Sequence, residues 1–156
     1  MNLRETVDYH LKATWHSLTK MYNQVAVKYE TSQTIGYVLM NIEKEGTPAT
    51  KIAPFIGMEP TSLSRLLNSM EKKGLIYREV DETDKRVVRI FLTDYGVLNR
   101  KIAKQTIIKF NEKILKKVTE KDLKIFYRVI AAINELATEE KLDNVERDEK
   151  PDNEKK

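Results

Sequence analysis

The sequence predicts a mainly α-helical fold that carries one small β-hairpin. Three observations lead there. Only five Gly and four Pro occur in 156 residues, which suits long helices and not a many-turned β-sandwich. Apolar residues recur at steps of three and four along most of the chain. The period changes between Leu75 and Leu92, where Ile, Val, Tyr and Phe crowd as they do in strands.

Leu3, Val7, Leu11, Trp15, Leu18, Tyr22, Val25 and Tyr29 form one apolar stripe on a long first helix. A helix this long cannot bury its stripe on a small domain, so a partner chain is its natural cover. Thr31 or Ser32 caps a second helix running to about Glu45, with Ile35, Val38, Leu39 and Ile42 inward and Gly46 as the stop. Thr47 and Pro48 read as the N-cap and first residue of a short third helix with Ile52, Ala53 and Ile56 inward. Pro54 removes a backbone donor inside that segment and predicts a kink or early end. After Gly57-Met58-Glu59, Pro60 restarts a helix through about Lys73, with Leu63, Leu66, Leu67 and Met70 inward and Gly74 as its C-cap. Two short helices around a tight glycine-containing turn are the helix-turn-helix signature.

Residues 75–80 and 86–92 read as strands joined by the polar turn 81–85. An isolated hairpin is marginal, so its apolar face must lie on the helices. Thr93-Asp94 caps a fifth helix to about Val118, lined by Leu98, Ile102, Ile107, Phe110, Ile114 and Leu115. Thr119 caps a sixth, with Leu123, Phe126, Tyr127, Ile130, Ile133 and Ala137 along one stripe. The expected architecture is a winged helix-turn-helix domain at 31–93 plus a helical dimerisation region from 1–30 and 94–138. Residues 139–156, charged and poor in apolar groups, are expected to be a disordered tail.

The net charge of +4 is uneven. Residues 139–156 hold eight acids and five bases, which leaves 23 bases and 16 acids in residues 1–138. A basic body suits an anionic partner such as nucleic acid, although a solvated Lys/Glu surface gives the same numbers. The stretch 94–117 alone has seven bases and two acids, and a helix exposed on its solvent side accounts for most of them.

The absence of cysteine excludes a disulfide framework, a Cys-ligated zinc site and a thiol sensor. No apolar run approaches the roughly 20 residues of a membrane span. The stretch Met1-Asn2-Leu3-Arg4-Glu5 lacks the apolar core of a signal segment, so a cytoplasmic protein without a membrane partner is expected. His10 and His16 stand about 120° apart at roughly 100° per helical residue, so they do not share a metal-binding face. No phosphate-cradling glycine loop, nucleophile–base pair or cofactor motif is visible. Neither a metal site, a cofactor nor an enzyme is expected.

The element order resembles that of the MarR family of transcription regulators. Residues 64–76, Ser64-Arg65-Leu66-Leu67-Asn68 through Gly74-Leu75-Ile76, resemble the family's recognition helix and its exit. Asp84-Lys85-Arg86 resembles the Asp-x-Arg wing tip, and Leu92-Thr93-Asp94-Tyr95-Gly96 the Leu-Thr-x-x-Gly junction. The resemblance covers residues 3–138 and rests on joint order and spacing. It implies a homodimer on a pseudo-palindromic duplex operator, acting as a repressor released by a small aromatic or anionic effector.

Physical reasoning assigns roles to the same residues. Thr61, Ser62, Ser64, Arg65 and Asn68 are the polar positions between the core positions of the reading helix. Arg pairs bidentately with guanine, Asn with adenine, and hydroxyls hold phosphates. Arg86 at the wing tip suits a narrow A·T-rich minor groove, and Asp84 can orient its guanidinium. Lys72, Arg78, Lys85 and Arg89 are candidate phosphate ligands. Trp15, His16, Tyr37, Met40 and Phe55 are candidate linings of an effector cleft, although ordinary packing accounts for aromatics and Met at helical spacing. A winged-helix module that binds proteins and not DNA is the alternative.

Overall fold

The computed structural model describes residues 2–139, so the expected disordered tail lies outside the described residues from residue 140 on. The chain forms two compact units, one ending at Glu112 and the other beginning at Lys113.

The first unit opens with a 3₁₀ turn at Leu3–Glu5, followed by α1 at Val7–Ala26 and a second 3₁₀ turn at Val27–Tyr29. The expected single helix is therefore interrupted at Thr6, whose hydroxyl caps α1 by accepting from Tyr9 N. Ser32 caps α2, Gln33–Met40, by accepting from Ile35 N. This helix ends before Ile42 and not at Glu45. The loop that follows turns on the Thr47 hydroxyl, which accepts from Glu43 N and donates to the Asn41 carbonyl.

Thr47–Pro48 forms a two-residue strand, β1, which pairs antiparallel with Val88–Leu92, β3, and Pro48, not Thr47, is the N-cap of the helix that follows. With β2 at Ile76–Val80 the sheet has three strands in the order β1-β3-β2. The expected two-stranded hairpin thus gains an edge strand, and Pro48 suits an edge because it has no N–H to donate. The helix α3, Ala49–Ile56, continues past Pro54. Its end is held by Gly57 at φ 61°, with Gly57 N donating to the Pro54 carbonyl and Met58 N to that of Ala53. Pro60 opens α4, Pro60–Lys72. Gly74 at φ 68° closes α4 the same way, with Leu75 N donating to the Met70 carbonyl.

One core holds these elements together. Ile35, Val38, Leu39 and Ile42 meet Ile52 and Ala53 of α3, Leu63, Leu67 and Met70 of α4, and Leu75, Ile76 and Ile90 of the sheet. Deleting one such side chain costs about 2–5 kcal/mol. The helix α5, Asp94–Leu115, begins against this domain: the Leu75 carbonyl accepts from Thr93 N, and Gly96 lies against that carbonyl. In the second unit, α6 spans Glu120–Glu139 and starts with a reciprocal cap between Thr119 and Asp122. Among the described residues no helix is long and apolar enough to cross a membrane.

Candidate nucleic-acid interface

The helix α4 separates its residues by face. Leu63, Leu67 and Met70 are buried, while Thr61, Ser62, Ser64, Arg65, Asn68 and Lys72 are exposed. Arg65 stands three residues before Asn68 and four after Thr61, so these side chains lie along one stripe. Its guanidinium makes no ion pair within 4.0 Å among the described residues, which leaves its fork of donors open.

Two of the expected phosphate ligands have partners. Arg78 on β2 donates from Nη2 to Asn68 Oδ1 at 2.7 Å, and its Nη1 lies 3.2 Å from Glu71 Oε2. Arg89 on β3 is paired with Asp81 and donates from Nη1 to the Gly46 carbonyl at 3.0 Å. Both guanidiniums hold the domain together within the chain. Lys72 and Lys85 are exposed.

The wing tip is organised by an aspartate that the sequence reading passed over as part of a polar turn. Asp81 is buried, and its Oδ1 accepts from Thr83 Oγ1, Thr83 N and Asp84 N while Oδ2 faces Arg89. The Thr83 hydroxyl, the backbone N–H groups and Arg89 hold the Asp81 carboxyl far below the usual carboxylate range. An Asp followed two residues later by a hydrogen-bonding Thr is an Asx-turn signal that the sequence carries.

Beyond this hub, Asp84 grips Arg86. Its Oδ1 accepts from Arg86 N at 3.0 Å and Arg86 Nε at 3.1 Å, and its Oδ2 accepts from Arg86 Nη2 at 3.1 Å. These bonds lower the Asp84 carboxyl pKa and raise that of the Arg86 guanidinium. The Arg86 side chain is 90% exposed, so it projects from the tip while paired with Asp84 and is not folded onto the domain.

Residues 36–88, which contain α4 and the wing tip but not Arg89, match the sequence model of the MarR family. They form a MarR-family domain. The fold agrees with solved structures. Staphylococcus aureus MepR in a DNA complex superposes with a TM-score of 0.77 at 20% identity, covering 85% of this chain and 98% of that one. Mycobacterium tuberculosis MosR in complex with DNA gives 0.69 at 23% identity, covering 86% and 97%. Rhodococcus jostii CouR bound to p-coumaroyl-CoA gives 0.75 at 19% identity, covering 85% and 94%.

The five candidate effector residues do not converge on one cleft beside the MarR-family domain. Tyr37 and Met40 line a cavity of about 50 Å³ with Tyr22, Gln33, Asn99 and Ile102. Trp15, 55% exposed, stacks on Tyr37 with ring centroids 6.3 Å apart. His16 is exposed and outside the lining. Phe55, 70% exposed, borders a separate surface hollow with Met40, Lys51 and Arg89. The cavity is mostly apolar, yet Thr31 Oγ1 and Gln33 Nε2 are buried on its lining without a hydrogen-bond partner among the described residues. Burial also raises the Tyr22 hydroxyl pKa. Among the described residues no His/Cys/Asp/Glu group suits a metal ion.

Proposed function

We propose that this protein is a sequence-specific duplex-DNA-binding transcription regulator that acts as a homodimer in the cytoplasm and has no enzymatic activity. One observation carries the reading: a polar stripe on α4 lies beside a wing whose tip arginine is aimed outward by its own aspartate. A helix of this kind fits the major groove and a wing arginine suits the minor groove. Structures of the same fold solved with DNA, MepR and MosR, support the assignment. These neighbours favour duplex DNA over the protein-interaction alternative.

The dimer follows from uncovered apolar surface. Leu3 in the first 3₁₀ turn and Val7 and Trp15 on α1 are 80%, 50% and 55% exposed, and Phe126, Tyr127 and Leu136 on α6 are 53%, 62% and 57% exposed. Monomeric proteins seldom leave such stripes open. A repressor released by an effector is the mode of action we favour, and the CouR structure bound to p-coumaroyl-CoA supports a ligand-responsive reading. The cavity beside Tyr37 holds only a few water molecules at its present size. An aromatic carboxylate therefore needs it to widen, or needs walls from the partner chain.

A duplex-binding assay across salt concentrations tests the proposal. Binding should weaken with log salt at a slope of roughly 0.9 per phosphate contacted, and a selected operator should outcompete random duplex. Equal affinity for every duplex, or none at low salt, overturns it.

A further inference from the structure

We propose that Asn68 reads guanine and not adenine, because Arg78 occupies its side-chain carbonyl. This rests on the reading that α4 enters the major groove. An arginine has donors only, so the atom of Asn68 that faces Arg78 Nη2 at 2.7 Å must be the oxygen. The orientation of the amide is thereby fixed by chemistry, where an isolated amide can turn either way.

Glu71 makes the hold firm. Its carboxylate lies 3.2 Å from Arg78 Nη1, one turn along α4 from Asn68, and the side chains of Arg78 and Glu71 are 31% and 40% exposed. Arg78 is a positioning residue: it reaches from β2 to the helix, is steadied by Glu71, and turns the amide. What Asn68 has left for the groove is Nδ2 with two N–H donors.

The bases distinguish such a group. Asparagine pairs with adenine by donating to N7 and accepting from N6–H, so it needs its oxygen. Here the oxygen lies against a positive guanidinium, which also repels the positive hydrogens of an adenine amino group. Guanine shows two acceptors, N7 and O6, on the same edge. Nδ2 can donate to either of these acceptors without needing an acceptor of its own.

Selection from a randomised duplex pool at fixed salt tests the inference. Asn68→Ala should relax one position per half-site, and the unaltered protein should prefer guanine over adenine there. Arg78→Met keeps the aliphatic stem but frees the oxygen, and should move the preference toward adenine by at least about fivefold. Arg78→Lys keeps a donor and should restore guanine. Asn68→Asp leaves the Glu71–Arg78 pair in place while presenting an acceptor outward, so it should turn the preference to cytosine. The guanine-over-adenine preference of the unaltered protein at the position that Asn68→Ala relaxes decides the matter even if Arg78→Met does not fold.

An adenine preference in the unaltered protein, an Asn68→Ala profile with no relaxed position, or an Asn68→Asp profile still favouring guanine overturns the inference. If Arg65→Ala relaxes its own position in such an experiment, α4 still reads the groove and only the role of Asn68 is wrong. If Arg65→Ala also leaves the profile unchanged, the reading of α4 has failed with it.

Discussion

Arg89 and Asp81 pair across the base of the wing, and the same guanidinium reaches the Gly46 carbonyl, so one side chain ties the wing to the turn after α2. Asp81→Asn and Arg89→Met should each lower the melting temperature at neutral pH. Acid separates the aspartate's share. Its carboxyl pKa is lower in the folded protein than in the unfolded chain. The stabilisation is therefore complete above the unfolded value of about 3.9 and is lost as pH falls from there toward the folded value. Melting curves taken below about pH 5 should fall less steeply for Asp81→Asn than for the unaltered protein. Parallel pH profiles would show that the carboxylate does not hold the wing.

Gly96 should not tolerate a side chain. A methyl group there would meet the Leu75 carbonyl oxygen, with the carbonyl carbon at 3.1 Å, so backbone must shift. Gly96→Ala should cost at least about 1–3 kcal/mol, the usual range for overpacking. Chemical denaturation that shows an unchanged midpoint would contradict the close approach.

Arg65, exposed and without an ion-pair partner within reach among the described residues, is free to read a base edge. Arg65→Ala should weaken operator binding by roughly 1–3 kcal/mol and relax one position in each half-site. Half-sites should lie roughly 10 bp apart, the spacing of successive major grooves. A uniform loss across all sequences would make Arg65 a phosphate contact.

Asp84 offers a test in which charge and geometry disagree. By charge alone, removing an acid beside DNA tightens binding. By geometry, Asp84→Ala frees Arg86 to swing and should weaken binding, as a milder form of Arg86→Ala. Arg86→Ala should lower affinity for many sequences and reduce any preference for flanking A·T pairs. Tighter binding by Asp84→Ala with unchanged selectivity would refute the orienting role.

Light scattering at micromolar concentration should give twice the chain mass. Replacing Phe126 and Tyr127 with polar residues should shift the protein toward monomer, because both are exposed on α6. A stable monomer before any substitution would remove the two-fold arrangement on which the operator spacing depends.

Helices and the hairpin were legible because their signals are local: a cap, a period of 3.6 or 2, a glycine at the exit. The Asp84–Arg86 pair was legible for the same reason, since its partners stand two residues apart. β1 was not legible. Thr47-Pro48 carries the local marks of a helix start, and only pairing with Ile90 and Arg89, more than 40 residues away, makes it a strand. Arg78 and Arg89 looked like free cations because charge is visible in a sequence while its partner is not. Pro54 promised an early end, but the closing bonds around Gly57 hold the last turn.

The Leu75 carbonyl accepts from Thr93 N and lies against Gly96, while Leu75 N closes the end of α4. One residue therefore fastens the outgoing end of the reading helix to the first turn of α5. In mechanical terms this is a joint without slack. A pivot of the reading helix at its exit would strain the Thr93–Leu75 bond and the Gly96 contact unless the root of α5 moved with it. In the proposed dimer on DNA, the direction in which each α5 leaves its domain would therefore help set the distance between the two reading helices.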